Sequence, residues 1–420
     1  MKLGRRDLLR AGVTGGVLGV AGCLERLGFE EQSAWDVPPM VENRPDAVYM
    51  PPSIEEMGTY GQASNGEYAV DLAFTFPHRF WLVAGDTERV DVTTDDTMHL
   101  MMTIWEAETG MLLPVDSTLE IRDDDGAVVH SDPPWSMLSQ RMGFHYGDNI
   151  TLPGEGAYTA RVVTGPVSAR RTGHLADRLE GTATFEIDFE YARSDLHDLE
   201  LTLIDEDERG QPGALEAMDH SDHAHHGDHD HDDHGDTPDD GHSDAHDDGH
   251  HDHDHDHEDG HHDGEGHGGH PQLGGPPLED LPGTHVGTET SADASISLRY
   301  LEVERFGEAD GSTDGSEGSE QEDTEENQYI AVYPRTPYND FPLPFMAISV
   351  TLEEDDSTIL ETTLQETVDH ELGHHYGASA SEIAAADTAI VTVDTPPQVA
   401  RHDGYETAFF EFDPLTFDLS

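Results

Sequence analysis

The amino-acid sequence predicts an all-β protein in which two antiparallel β-sandwich domains are joined by a disordered linker rich in histidine and aspartate. Three observations lead to this prediction. Short segments alternate between apolar and polar residues, a tract of low complexity interrupts the chain, and the end of the first half is repeated at the end of the second. The length of 420 residues also exceeds what one typical domain needs.

The amino terminus has the pattern of an export signal. Arg5 and Arg6 precede an apolar run that ends at Gly22 and Cys23, and this run is too short to cross a bilayer as a stable helix. Twin arginines indicate export by the Tat route, and the residues up to Cys23 resemble a lipobox. We therefore expect residues 1–23 to be a Tat signal and Cys23 to carry a lipid anchor at the outer face of the cytoplasmic membrane.

The net charge of the chain argues against some classes of binding partner. It contains 90 acidic and 20 basic residues, which gives a formal net charge of -70, and Lys2 is its only lysine. Such a surface repels nucleic acid and anionic lipid, so we expect no nucleic-acid partner. A dense layer of hydrated carboxylates fits a protein of an extreme halophile, because concentrated salt screens the repulsion between them.

Changes in composition divide the chain into segments. Residues 24–65 show little periodicity and are expected to be a tether, and residues 66–205 are expected to form the first domain. A linker is predicted over 206–283, where 18 of the 29 histidines are interleaved with aspartate and glycine. The second domain is predicted over 284–420, with an acidic insert at about 307–327.

The strand predictions rest on a period of two. Apolar residues alternate with other residues in three segments of the first domain, and the dipeptide Asp125-Gly126 indicates a hairpin turn after the strand that contains Leu119 and Ile121. The alternating sets are Val70, Leu72, Phe74 and Phe76; Tyr158, Ala160 and Val162; and Ala183, Phe185, Ile187 and Phe189.

The two domains are predicted to be copies of one unit. Phe144-His145-Tyr146-Gly147 matches His374-His375-Tyr376-Gly377, and the segments around 158–163 and 182–188 recur around 388–393 and 407–413 in the same order. More weakly, Met111-Leu112-Leu113-Pro114 matches Phe341-Pro342-Leu343-Pro344. The first copy carries side chains that bind soft or borderline metal ions, and imidazole with thioether favours copper and late first-row ions over magnesium and calcium. These candidates are His99, Met101, Met137, Met142, His145 and His174.

The segment from His99 to Phe189 resembles the periplasmic ferrous-iron transport (Tpd) family of immunoglobulin-like metal-binding proteins. The stretch from Gly143 to Tyr158, which contains the His-Tyr-Gly motif, carries the likeness. The resemblance implies an immunoglobulin-like fold and a non-enzymatic protein that passes iron to a membrane iron permease or another metal transporter. It also implies pairing as a dimer with metal sites near the interface, which a tandem duplication can reproduce as an intrachain pseudo-dimer.

The resemblance also implies a ligand set. His145 matches the motif histidine, and Met137 and His174 match further ligands. The family has a carboxylate two residues after the histidine that matches His99, whereas this chain has Met101, and this replacement shifts the expected metal from iron towards copper. The second copy keeps His375 and His402, but it has Tyr329 and Ala331 in place of His99 and Met101, so its site is expected to be degraded or structural.

Two other functions remain open at this point. The pattern His370-Glu371-Leu372-Gly373-His374 matches the HExxH motif of zinc proteases, and Leu360, Leu364, Val368 and Leu372 have helical spacing. A third zinc ligand is missing, since Ala380 occupies the position where one subgroup places it. The chain could otherwise be a structural surface lipoprotein. In each case the histidine-rich linker is expected to hold zinc, copper or iron ions weakly.

Overall fold

The computed structural model describes residues 2–3, 38–84, 86–218, 270–302 and 328–419. The predicted lipobox at Cys23, most of the histidine-rich linker and the acidic insert lie outside the described residues. The described residues on both sides of the histidine-rich tract belong to one compact unit. Among the residues described, no helix is both long enough and apolar enough to cross a bilayer.

Regular structure in the described residues is almost entirely β. The described part contains one short α-helix, α1 (Arg193–Asp198), and three 3-10 turns at Gly173–Leu175, Leu278–Asp280 and Ser381–Ala384. The strands are β1 (Lys2–Leu3), β2 (Ser53–Glu55), β3 (Gly58–Ser64), β4 (Tyr68–Thr75), β5 (Phe80–Ala84), β6 (Asp86–Val90), β7 (Met98–Glu106), β8 (Val115–Asp123), β9 (Val128–His130), β10 (Trp135–Ser139), β11 (Gly143–Ile150), β12 (Gly156–Val167), β13 (Arg170–Thr172), β14 (Ala183–Tyr191), β15 (Leu201–Leu203), β16 (Thr284–Ser291), β17 (Ala294–Leu301), β18 (Gln328–Arg335), β19 (Ala347–Glu354), β20 (Ser357–Asp369), β21 (Gly373–Ala380), β22 (Thr388–Thr395), β23 (Ala400–Arg401) and β24 (Leu415–Asp418).

The first repeat is an antiparallel sandwich, as predicted. One sheet has the strand order β3-β4-β7-β11-β10-β23-β5-β6, and the other has the order β14-β12-β8-β9. Strand β14 alternates strictly between buried and exposed residues, with Phe185 and Ile187 turned inward. The hairpin predicted at Asp125-Gly126 joins β8 to β9, and Gly126 has the positive φ of 78° that such a turn favours.

The second repeat has the same strand order in a more continuous sheet. Strands run β16-β17-β18-β21-β20-β19-β22-β24. Strand β20 pairs with β19 through its first half and with β21 through its second half, so one long strand belongs to both layers of the sandwich. In the first repeat the corresponding segment is divided into β9 and β10.

Pairing registers place the His-Tyr-Gly segments of the two repeats in equivalent positions. Gly147 lies opposite Met101 and Gly377 lies opposite Ala331, so the His-Tyr-Gly segments occupy equivalent places. The tyrosine of each segment donates to a backbone carbonyl of the preceding apolar segment, Tyr146 to Leu113 and Tyr376 to Leu343, both at 3.1 Å. The weaker match between residues 111–114 and 341–344 therefore also reflects equivalent structure. The predicted match of 182–188 to 407–413 is wrong, because residues 183–191 form β14 whereas 407–413 belong to no strand and precede β24.

Each repeat contributes one short strand to the sheet of the other. Strand β13 pairs in parallel with β20, with Arg170 opposite Thr367, and β23 pairs in parallel with β10, with Ala400 opposite Met137. A continuous hydrophobic cluster also includes residues of both repeats. The two predicted domains are thus joined by reciprocal strand pairing and a shared core in addition to the linker.

The predicted tether and linker are more ordered at their edges than the sequence pattern suggests. Strand β3 lies within the predicted tether at 24–65, and its weak periodicity fits an edge strand that is half-exposed. The linker predicted over 206–283 also packs on the body near both ends. The Leu215 backbone N–H donates to the Gln140 side chain at 2.9 Å, and the Gln272 N–H donates to the Gly110 carbonyl at 2.7 Å.

Candidate metal centre

Four of the predicted ligands project from one face of the first sheet. His99 and Met101 are two residues apart on β7 and therefore share a face, while the intervening Leu100 belongs to the sandwich core. Met137 on β10 lies directly opposite His145 on β11. The pleat of the sheet thus places these side chains together on the side that faces away from the sandwich core.

Two further histidines reach this face from other parts of the chain. The loop between β4 and β5 supplies His78, and the residue directly after the exchanged strand β23 is His402. The His402 backbone N–H donates to the Leu138 carbonyl at 3.2 Å, which holds it beside β10. One ring nitrogen from each of His78, His99 and His402 lies within 4.8 Å of the others. The ring centroids of His145 and His402 are 5.2 Å apart.

Hydrogen bonds at Nδ1 set the orientation of three of these imidazole rings. His99 Nδ1 lies 2.9 Å from the Asn149 side-chain oxygen, and His145 Nδ1 lies 3.1 Å from the Gly143 carbonyl. His78 Nδ1 lies 3.0 Å from a carboxylate oxygen of Glu55. Because each partner is an acceptor, each Nδ1 carries a proton, and in a neutral ring this leaves Nε2 with its lone pair.

The four Nε2 atoms have no hydrogen-bond partner among the described residues. They belong to His78, His99, His145 and His402, and all four atoms are buried. A buried nitrogen without a partner costs free energy, and such groups in native proteins call for an explanation such as an unseen ion. Neutral imidazoles that present Nε2 while Nδ1 is bonded to an acceptor have the form that metal ions bind.

Gly147 leaves open the space between the His99 imidazole and the Met137 thioether. A Cβ atom at this position would lie 2.8 Å from His99 Nε2 and 3.3 Å from Met137 Sδ. Any larger residue would therefore fill the gap between the two candidate ligand atoms. We call this gap between His99 Nε2 and Met137 Sδ the cradle. A metal ion fits it, because a nitrogen and a sulfur ligand atom border a space that the backbone of Gly147 leaves clear.

Burial keeps His99, His145 and His402 neutral. Removal from water lowers the pKa of His145 to about 4. The pKa values of His99 and His402 lie well below the ordinary value, first because of burial and then because of repulsion from His78. These imidazoles are therefore in their ligand form throughout the neutral range.

Comparisons with known proteins give weak matches. A sequence family described as Domain of unknown function (DUF7350) matches residues 279–418. Comparison with curated proteins gave no match. Among solved structures, FetP of uropathogenic E. coli aligns at 16% identity with a TM-score of 0.25, over 33% of this chain and 97% of FetP. Copper-reconstituted P19 of Campylobacter jejuni aligns at 14% identity with a TM-score of 0.26, over 33% of this chain and 97% of P19. Values this low do not assign a function to this chain.

The structure does not bring His174 to the histidine cluster. This residue lies on an exposed 3-10 turn, with Nε2 3.9 Å from a Glu108 carboxylate oxygen and its ring 5.7 Å from that of His370. The register of the exchanged strands explains the difference. His402 follows Ala400 by two residues, and the residue that follows Arg170 by two is Thr172, so Thr172 is the counterpart of His402.

The equivalent face of the second repeat is filled by other side chains. The Tyr329 hydroxyl donates to His375 Nε2 at 2.7 Å, and a Cβ atom at Gly377 would overlap that hydroxyl. Thr367 stands opposite His375, where the first repeat has a methionine opposite a histidine. Leucines 281, 301 and 372 pack with Tyr329 and Tyr333 on this face. His375 is therefore bonded to a tyrosine here rather than grouped with other histidines.

The HExxH pattern does not form a zinc-protease site. Such a site needs a helix, because two histidines four residues apart then point to one side. Here residues 357–369 form β20, a turn follows, and His374 lies on β21. His374 Nε2 lies 2.8 Å from a Glu366 carboxylate oxygen. The helical spacing of the leucines is therefore coincidental.

His78 is the residue of this centre that the sequence did not point to. It lies in a loop next to Arg79, outside any periodic segment, and only the fold brings it against His99 with a ring-centroid distance of 4.0 Å. A loop histidine followed by an arginine carries no local signal of metal binding. If every histidine outside the low-complexity tract were treated as a candidate ligand, His78 would be included.

Proposed function

We propose that this chain is an extracytoplasmic metal-binding lipoprotein that holds a copper ion, or in second place an iron ion, and delivers it to a membrane transporter. The observation that carries the proposal is a set of four buried Nε2 atoms that have no partner among the described residues. Ring nitrogens of three of these residues, His78, His99 and His402, lie within 4.8 Å of one another, and the His145 ring lies beside that of His402. Met137 Sδ, next to the same cradle, completes the candidate ligand set. Residues from both repeats contribute, because His402 belongs to the second.

The ligand set favours copper over the iron that the family resemblance implies. Imidazole binds copper, iron, nickel and zinc, and a soft thioether beside the imidazoles favours copper among these metals. The nearby carboxylate of Glu55 is hydrogen-bonded to His78 Nδ1, so it supports the His78 ring and is not counted as a metal ligand. A carboxylate behind a metal-binding imidazole orients the ring and raises its basicity.

Copper titration of a shortened chain tests the proposal. Residues 219–267 are replaced by a short Gly-Ser segment, so that the histidine-rich tract cannot compete while the packed segments on either side remain. We expect tight binding of a single Cu(II) ion, and we expect His145→Ala to weaken it at least ~10-fold. The control His285→Ala removes an exposed imidazole of β16 and should change nothing. Equal affinity in the parent and the His145→Ala variant would reject the site.

The anchor is tested separately from metal binding. Cys23 lies outside the described residues, and its lipidation is inferred from the sequence pattern alone. Changing Cys23→Ser should release the folded protein into the medium and leave its copper affinity unchanged. A variant that stays in the membrane fraction would show that the chain is not held by a lipid on this residue.

A further inference from the structure

A cluster of methionines lies beside the histidines. Met101 and Met142 are each 2% exposed and pack against Ala73, and the half-buried Met57 and Met218 pack against them. None of these thioethers belongs to the main core of the sandwich. They come from four different segments of the chain, so their grouping is a product of the fold rather than of local sequence.

The methionine and histidine clusters line one cavity. Its volume is about 100 Å³, and its walls include Met57, Met101 and Met142 together with His78, His145 and His402. Met101 is also two residues from His99 on the same face of β7. A cation in this cavity can therefore contact either thioethers or imidazoles without leaving the protein.

Comparison of the two repeats shows that packing does not require sulfur at these positions. Met101 corresponds to Ala331, because each lies opposite the glycine of the His-Tyr-Gly motif. Met142 corresponds to Leu372, because each directly precedes the glycine that begins the strand with this motif. In the second repeat, where tyrosine blocks the histidine site, alanine and leucine fill the same places in the sheet. The methionines thus accompany the histidine cluster, although methionine is elsewhere a common filler of cores.

We propose that Met57, Met101 and Met142 form a second metal site, which binds monovalent copper through three thioether sulfurs. This inference rests on the proposed function, because the site shares the cavity of the histidine cluster. Thioethers are soft neutral ligands, so they select Cu(I) over hard divalent ions. They are not protonated at ordinary pH, so protons do not compete with Cu(I) for the sulfur atoms. Buried apolar surroundings suit a cation of single charge that is poorly hydrated. The site then offers Cu(I) a position beside the imidazoles that hold copper more tightly.

The test is methyl NMR of the full-length chain with Cys23→Ser, labelled with ¹³C at the methionine methyls and titrated anaerobically with Cu(I). Residues 219–267 contain neither methionine nor cysteine, and Met218, which directly precedes them, is left out of the readout. We expect the methyl signals of Met57, Met101 and Met142 to shift, together with that of Met137. Met98 and Met102, which lie on the opposite face of β7 in the sandwich core, are internal controls and should not shift.

Variants separate this inference from the proposed function. In His145→Ala, the signals of Met57, Met101 and Met142 should still shift, while the response of Met137 falls. The triple change Met57→Leu, Met101→Leu and Met142→Leu, which keeps volume nearly constant, should weaken the second Cu(I) equivalent at least ~10-fold and leave Cu(II) binding unchanged.

A shift of Met137 alone would overturn the thioether site and leave the histidine site standing. The absence of any methyl shift, combined with unchanged Cu(II) affinity in His145→Ala, would overturn both. Single Met57→Leu is the fallback variant, because this half-buried position tolerates change best, and its thermal unfolding shows whether the fold is kept.

Discussion

At the scale of single residues, the candidate centre depends on atoms behind the imidazoles as much as on the imidazoles themselves. The Asn149 amide donates to the His78 carbonyl at 2.8 Å, which turns its oxygen towards His99 Nδ1. That contact fixes the His99 tautomer and leaves Nε2 facing the cluster. His99 and His145 could be predicted from the sequence, but Asn149 and His78 could not, because their roles arise only when two loops meet.

Copper should remain bound well below pH 6. Ordinary histidine pKa values would put release near pH ~6. Burial lowers the pKa of His145 to about 4, so protons compete with the metal at this ligand only as the pH falls towards that value. Imidazoles with an ordinary pKa, which the sequence leads us to expect in the histidine-rich tract, should protonate first and release their ions earlier. Copper retained after dialysis at a series of pH values, in the full chain and in the chain lacking 219–267, measures both steps. Loss from the shortened chain centred near pH 6.5 would contradict the buried site.

Gly147→Ala should block the centre while leaving the fold intact. The new methyl group would lie 2.8 Å from His99 Nε2 and 3.3 Å from Met137 Sδ, so it would occupy the place of the metal. We expect copper affinity to fall at least ~10-fold in the titration described above. Gly154→Ala is the matched control, because a Cβ there meets no atom within 4 Å. Normal copper binding by the Gly147 variant would show that the metal does not sit between these two side chains.

At the scale of the strands, most of the fold could be predicted and the strand exchange could not. Alternation of Ala183 to Phe189 correctly indicates a strand with one buried face, and the repeated His-Tyr-Gly segments correctly indicate equivalent strands. By contrast, β13 and β23 have only three and two residues, too few to show any period. The sequence does not separate edge strand β3 from the tether, because half-exposed positions blur its alternation.

Tyr329→Phe should destabilise the second repeat without affecting metal binding. The change removes the donor to His375 Nε2 and leaves a buried nitrogen in place of a 2.7 Å hydrogen bond. A loss of this kind costs about 1–3 kcal/mol of unfolding free energy. Urea denaturation of the metal-free protein measures the cost, and copper titration should give the parental affinity. If this variant gained a second tight copper site, the second repeat would have a metal site that the Tyr329 hydroxyl only blocks.

At the scale of the whole molecule, the two repeats share one strand order but differ in the side chains that fill the equivalent face. The first repeat keeps the cradle at Gly147 open, whereas the second closes the cradle at Gly377 with a tyrosine hydroxyl. The halves remain interdependent, because β23 of the second repeat places His402 in the candidate centre of the first. The formal net charge of -70 would attract cations to the chain at low ionic strength.

The central claim is that one metal centre is built from histidines of both repeats, and copper content after removal of loosely bound metal tests it most directly. The comparison uses the chain with residues 219–267 replaced, its His402→Ala variant and its His174→Ala variant. We expect the parent and His174→Ala to retain a single copper ion per chain, since the His174 side chain is exposed and paired elsewhere. His402→Ala should lose this ion because it removes the ligand supplied by the exchanged strand. Full retention of copper by His402→Ala, or its loss from His174→Ala, would contradict the account.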